Sequence, residues 1–435
     1  MTGAQSLELR GLVGVVCSVF SAAAWTVAPR IRTDRARFRR LAVAAFALSR
    51  IGLFLAAFWV LHLQSRGDIE LYMQEAAPAY AGRLVYRDFA TPHAPLSPYM
   101  FAAMLHLRYD PRIIILFASL FDLAAFALWM RYSARLQDAL TERRAALLML
   151  LNPVSLLTVA VDGQMNSLIA LGLAWSAVAV MEQRDTIAGF AAALPGVLVK
   201  FLSWVFAPSL FAASRRKVAW SAGFLALTFT VYGAFAAHGA HILAPLGAEG
   251  AHKTTSNITF LVELLTGIDL GNRLPDLMLA LVWIAVIALT FWVVRRREGD
   301  ETAMRKIVLV SLIATMMTLQ VFSKNTWDRY LVMTMYPLCY LAAEFTGAQI
   351  ALYCAWLVVN VTYRSFWATF ADGATAVVLH HALMQHSILA HELLVGEVLQ
   401  TGGNITIFTL AVHRLARLAS PGAGRGDRNA ESMKG

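Results

Sequence analysis

The stretch LAVAAFALSRIGLFLAAFWVLHL (41–63) is followed almost at once by SRGDIELYMQEAAPAYAGRLVYRDFATPHAPLSPYM (65–100). The first contains one ionised side chain, Arg50, in a run long enough to cross a hydrocarbon layer about 30 Å thick as a helix. The second carries Asp68, Glu70, Glu75 and Asp88 and is broken by Pro92, Pro95 and Pro98. An apolar run that delivers a concentration of acid to a membrane surface belongs to a helical membrane protein, not to a soluble core.

The whole chain repeats this pattern. Of its 435 residues 58% are hydrophobic and 15% charged, with a mean hydropathy of +0.59. A soluble domain has roughly 45–50% apolar and about 25% charged residues. Successive apolar runs predict an all-α, polytopic transmembrane bundle of about 11–13 spans, counting half-helices. The net charge of +10 is gathered in short clusters between the runs, at 30–40, 131–144, 214–217 and 295–306. That is the pattern of cytoplasmic loops under the positive-inside rule. No basic stripe interleaved with aromatics appears, which argues against nucleic acid as a partner. Cys17, Cys339 and Cys354 all lie in apolar runs and do not form a disulfide framework.

The first run, 11–28, follows Arg10 and reads as a retained helix rather than a signal peptide, because a basic loop and another span follow it. With 30–40 inside, the first external loop is 64–110 and a second is 238–275. Both flanks of 187–213 are basic or polar, so this segment predicts two half-helices broken between Pro195 and Lys200. Non-helical backbone at that depth is tolerated only where protein or a cavity covers it. Further spans are expected at 307–322, 330–346 and 348–368, an interfacial stretch at 373–400 and a last short span at 404–418. Residues 1–420 form one domain in this reading, with 421–435 a disordered cytoplasmic tail. His380, His381, His386 and His391 lack the i, i+4 spacing of a helical zinc site and predict an interfacial helix, with no metal bound there.

Asp68 is the first acid to leave the membrane. Partial desolvation there is expected to raise its pKa toward that of a general base. Asp68 and Glu70 also suit a shared divalent cation, and spacing alone is equally met by a solvated helix start that favours the helix dipole. Lys200, inside an apolar run, is costly to keep and reads as a phosphate contact or a snorkelling side chain. Asp122, in mid-span, reads as a buried hydrogen-bonding residue.

The sequence resembles the GT-C superfamily of polytopic glycosyltransferases, nearest the type that uses polyprenol-phosphate-mannose. The resemblance rests on GDIELY (67–72), GRLVYRDFATPHAPLSPYMFA (82–102), DGQMNSLIAL (162–171), LPGVLVKF (194–201) and NTWDRYLVMTMYPL (325–338), in that order. Asn166 stands where an Asp is usual, HAPL (93–96) replaces a Tyr-Pro-Pro-Leu sequence, and a span precedes the helix that leads into the acidic loop. The resemblance implies an inverting transferase of a hexose, mannose favoured, from a polyprenyl-phosphate sugar to a glycolipid or glycan acceptor. It implies a site facing the periplasm from a bacterial inner membrane. Asp68 becomes the catalytic base. Glu70, Tyr86, Arg87, Asp88, His93, Asp162 and Gln164 become substrate contacts. Lys200, Lys324, Arg329 and Tyr330 become contacts to the donor phosphate. The rival reading is a transporter or flippase of lipid-linked sugar, using Lys200 and Asp122 as intramembrane charges. The concentration of acid on one side and the lack of an inverted repeat count against it.

Overall fold

The computed structural model describes residues 3–65, 67–136, 138–250, 253–371 and 373–420, with backbone alone at 3–6, 248–250 and 364. The tail expected at 421–435 lies outside the described residues. Among the described residues the chain forms helices and turns, joined by one isolated bridge between Val85 and Phe89.

Local chemistry sets the helix limits. Helix α1 (Gly3–Val27) passes into a short turn at Pro29. Helix α2 (Arg35–Leu55) starts at Asp34, whose carboxylate accepts from the N–H groups of Ala36 and Arg37, and ends in a π turn, Ala56–Val60. Helix α3 (Asp68–Tyr80) starts behind Gly67, whose φ of +68° and ψ of −131° suit glycine alone. Helix α4 (Ser97–Leu107) has a proline in its first turn and is followed by α5 (Arg112–Ser133). Helices α6 (Ala139–Leu150) and α7 (Pro153–Ala160) meet at a 44° bend, where the Asn152 side chain accepts from the N–H of Ser155 and caps α7. Helices α8 (Asn166–Met181), α9 (Asp185–Leu198), α10 (Ala207–Ala213) and α11 (Lys217–Ala237) follow. The second long loop holds the short α12 (Ala244–Gly250) and α13 (Ile258–Thr266). Helices α14 (Arg273–Arg296) and α15 (Glu301–Phe322) form a hairpin. A tight turn, Asp328–Thr334, leads into α16 (Met335–Ala342), then α17 (Gly347–Phe370), α18 (Ala376–Met384) and α19 (Ile388–Arg417).

Seven of the described helices are long and apolar enough to cross a membrane, or eight if α6 and α7 are one bent span. Helix α15 is central, with 83% of its most apolar window buried, whereas the figure for α11 and α14 is 17%. Leu48, Val218 and Phe229 are exposed on the periphery. Apolar surface of that extent is covered by lipid, since water would drive it to aggregate. The chain is an integral membrane protein of the polytopic helical class.

Two expected boundaries differ. The segment 330–346 divides into the turn and the short α16, both buried. The split between 373–400 and 404–418 is absent, because α19 runs unbroken through Gly402 and Gly403. A Cβ at Gly403 would lie 2.2 Å from the Trp356 ring, so this glycine permits close approach of α17 rather than breaking α19.

Charges separate to the two ends of the bundle. At one end Arg35 and Arg39 meet Glu142, Arg131 and Arg135 meet Glu182, Arg215 meets Glu301, and Arg414 meets Glu344. At the other Asp68, Glu75, Asp162 and Asp276 meet Arg329, His93, Arg10 and Lys324. Between the ends lies a buried pair, Arg50 and Asp122.

Candidate active site

At the acidic end five segments come together: α3, the Pro-rich loop before α4, the turn before α8, the break after α9, and the turn before α16. Asp68 opens α3, and Tyr72 and Glu75 follow at i+4 and i+7, so all three share one helix face. Glu70, two residues on, turns away and is exposed. This geometry contradicts the shared-cation reading of Asp68 with Glu70, since residues i and i+2 do not face each other on a helix.

The turn before α8 is built around Gly163. Its φ is +65°, and a Cβ would lie 2.6 Å from Ile69 and 2.8 Å from Ile115. Glycine is therefore required both by the backbone angle and by the contact that presses this turn onto α3. The next residue, Gln164, is buried and hydrogen-bonds the Asp68 carboxylate. Asn166, in place of the usual acid, donates to the Arg329 carbonyl at 3.2 Å. A neutral amide here holds the segment that carries the arginine.

The break after α9 puts Lys200 near Asp68 and Tyr330. Pro195 lies within the last turns of α9, and the backbone is extended by Lys200. The loop before α4 takes up the freed carbonyls: Ala94 N–H donates to Val199 O at 2.9 Å and Leu96 N–H to Val197 O at 3.0 Å. Trp204 Nε1 and Tyr232 Oη satisfy the carbonyls of Ala193 and Gly196. A Cβ at Gly196 would fall 1.8 Å from Trp204 Nε1, so this glycine admits the tryptophan. The expected half-helix break is thus present, and backbone of the loop before α4 fills it. Lys200 Nζ lies 5.6 Å from the centre of the buried Tyr330 ring.

Arg329 Nη1 donates to Asp68 Oδ1 at 2.6 Å, with about a fifth of each side chain exposed. Its guanidinium lies 4.3 Å from the centre of the Trp327 ring. Burial pushes the Asp68 carboxyl up, but attraction to Arg329 and Lys200 and hydrogen bonds from Gln164 and Arg329 outweigh it, leaving its pKa below the ordinary 3.8. The raised value expected from desolvation is therefore corrected: the neighbouring cations win. Burial lowers the pKa of Arg329 and Asp68 raises it further, so the arginine stays charged.

The remaining candidates divide. His93 is buried against Glu75, with Nδ1 at 2.8 and 2.9 Å from the two carboxylate oxygens. Tyr72 packs edge-on to this imidazole, and Tyr86 Oη donates to the His93 carbonyl. Arg87 and Asp88 stand apart as an exposed neighbouring pair. Asp88 also accepts from Leu84 N–H, and hydrogen bonding to Arg87 leads the causes that hold its pKa down to about 2. Its observed contacts close the turn, and none reaches Asp68. Asp162 pairs with Arg10 of α1, not with Asp68. Lys324 Nζ meets Asp276 Oδ2 at 2.7 Å and the Asn272 carbonyl at 3.4 Å, which ties it to the start of α14. Its charge is thus directed to that carboxylate rather than to the Asp68–Arg329 pair.

Sequence reasoning did not single out Arg10 or Glu75 as site residues. Glu75 was signalled by its i+7 spacing from Asp68. Arg10 was signalled by being a cation at the acidic end of a span. Away from these residues, His380 Nδ1 lies 3.0 Å from the Leu264 carbonyl. Among the described residues no group of three His, Cys, Asp or Glu side chains is placed to hold a metal.

The sequence model of glycosyltransferase family 87 matches residues 92–320, more than half of the chain. The chain belongs to this family and is a membrane glycosyltransferase. No curated protein and no solved structure gives a significant match.

Proposed function

We propose that the chain moves a hexose, with mannose favoured, from a polyprenyl-phosphate sugar to a lipid or glycan acceptor, inverting the anomeric centre on the extracytoplasmic side. The observation that carries this is the contact of Asp68 with Arg329, with Lys200 close enough to act on the same carboxylate. A sugar phosphate needs a base where the acceptor hydroxyl enters and cations where the phosphate leaves. Asp68 takes the hydroxyl proton as the acceptor oxygen bonds to the anomeric carbon. The carbon–oxygen bond to phosphate breaks on the opposite face, and its electron pair stays with the phosphate. Arg329 and Lys200 meet that charge, Arg329 with the planar fork suited to phosphate oxygens. Donor binding draws Arg329 from Asp68 toward phosphate, which strengthens Asp68 as a base when it is needed. These cations provide the charge compensation that a divalent ion would otherwise supply, so transfer is expected to persist with a chelator present.

The transporter reading has less support. Arg50 and Asp122 are saturated by each other, Ser155 and backbone carbonyls, and do not line an open path. The decisive experiment supplies purified protein with polyprenyl-phosphate-mannose and follows sugar transfer and donor KM. Arg329→Ala and Lys200→Ala are each expected to raise donor KM about tenfold or more, the loss of a charge-assisted contact. Unchanged donor kinetics in both variants would refute the phosphate assignment.

A further inference from the structure

Helix α19 carries Glu397, Gln400, Thr401 and Asn404, all fully buried. Their spacing of i, i+3, i+4 and i+7 puts them on one face. Such a polar stripe within an apolar span is costly unless each group has a partner. The stripe lies outside the residues matched by the family model, and the mechanism above does not use it.

What the stripe holds is Ser256, in the second long loop. Ser256 N–H donates to both carboxylate oxygens of Glu397, at 2.8 and 2.9 Å. Its hydroxyl donates to Gln400 Oε1 at 3.0 Å, and its carbonyl accepts from Asn404 Nδ2 at 3.2 Å. Every polar group of one serine is thus engaged by one helix. Ser256 has a φ of +74°, an angle a serine keeps only where its surroundings impose it. Helix α17 backs the stripe: Tyr363 Oη donates to Glu397 at 3.0 Å, Gln400 Nε2 to Asn360 at 3.0 Å, and Trp356 Nε1 to Asn404 at 3.1 Å.

Two residues before Ser256, Thr254 grips the strand of chain that leads to Arg329. Thr254 N–H donates to Lys324 O at 2.8 Å, and its hydroxyl donates to Thr326 O at 2.6 Å. The same hydroxyl accepts from Thr326 N–H at 2.8 Å. Trp327 comes next, and Arg329 rests on its ring while bonding Asp68.

We infer that Glu397 is a positioning residue for Arg329, acting through Ser256, Thr254 and the segment 324–327. The inference rests on the reading of Arg329 as the donor-phosphate contact. Two acceptor oxygens are needed because Ser256 N–H and Thr401 donate to one and Ser256 N–H and Tyr363 to the other, whereas a glutamine amide offers one acceptor oxygen and two donors. Thr254 is the second link, since its one hydroxyl serves both the N–H and the carbonyl of Thr326.

The test uses the full chain in lipid nanodiscs with polyprenyl-phosphate-mannose as the donor. Glu397→Gln and Thr254→Val are compared with wild type for donor KM, thermal unfolding and amide hydrogen exchange across 323–330. Both variants are expected to speed exchange in 323–330 and to raise donor KM about tenfold at similar unfolding temperature. In the Arg329→Ala background, Thr254→Val is expected to add no further change in KM, because coupled groups are not additive. Unchanged exchange in both variants overturns the inference. So does a KM effect that multiplies with that of Arg329→Ala. If Arg329→Ala alone leaves donor KM untouched, the phosphate reading fails, and with it the role given to Glu397; faster exchange in the variants would then show only a structural clamp.

Discussion

Asp68→Asn keeps the size of the side chain and its ability to accept from Arg329 but takes up no proton near neutral pH. A loss of about 100-fold or more in kcat is expected with folding intact, the usual worth of a general base; normal turnover would remove Asp68 from that role. The pH profile gives a second measure. The free-enzyme pKa of Asp68 lies below 3.8 because Arg329 and Lys200 overcome burial. Its ionised form is therefore favoured by the fold at all higher pH, and that benefit is lost only as pH falls through the lowered value. No acid limb in kcat/KM from Asp68 is expected above about pH 4 in wild type. Arg329→Ala removes the main opposing charge and leaves the burial, so the limb should move to higher pH. A limb that stays fixed would mean Arg329 does not set the Asp68 charge. Asp68, Lys200 and Arg329 were legible in the sequence because each is a charge at an odd place, a span exit, an apolar run or a turn between spans. The pairings of Lys324 with Asp276 and Arg10 with Asp162 were not legible. They join residues 48 and 152 positions apart, and only the packing of separate helices decides them. The direction of the Asp68 pKa was misjudged for the same reason, since its cations come from distant segments.

At the scale of helices, the buried Arg50–Asp122 pair joins α2, α5 and α7. Arg50 Nε lies 3.3 Å from Asp122 Oδ2, and Ser155 Oγ donates to the same oxygen at 2.7 Å. The guanidinium also donates to the carbonyls of Met149 and Leu150 at the α6–α7 bend. Its carbon lies 3.8 Å from the centre of the Phe46 ring. Asp122→Ala leaves that cation buried without its counter-charge and should cost about 3–5 kcal/mol, seen as a fall in unfolding temperature in detergent. Donor KM at a permissive temperature should be unchanged, because the pair is structural; a selective loss of transfer without loss of stability would contradict this. The buried state of Asp122 could be read from its mid-span position, but its partner could not, since Arg50 looked like an ordinary interruption of a span. The break after α9 was legible from Pro195 and the lysine that follows. The continuity of α19 was not, because the boundary expected between 400 and 404 falls at two glycines, and only the packed structure shows Trp356 against one of them.

Over the whole molecule, the separation of charge is the ground on which we propose an orientation. Arginines at the ends of α5 and α14 and the starts of α2 and α6 gather at one end, and Asp68 with Arg329 lies at the other. Under the positive-inside rule the arginine-rich end would lie in the cytoplasm, and the proposed orientation therefore has the site facing outward. Arg10, Arg83, Arg108, Arg112 and Arg273 are cations at the end that holds Asp68; Arg10 pairs with Asp162, and Arg108 and Arg112 lie near Asp110. The orientation is tested with single cysteines in a chain whose half-buried Cys17 is replaced by alanine; Cys339 and Cys354 are already buried. Arg83 and Arg37 are exposed at opposite ends. A membrane-impermeant thiol reagent applied to intact cells should label Arg83→Cys at once and Arg37→Cys only after permeabilisation. The reverse pattern would put Asp68, Lys200 and Arg329 on the cytoplasmic face, and the donor and acceptor would then have to be sought there.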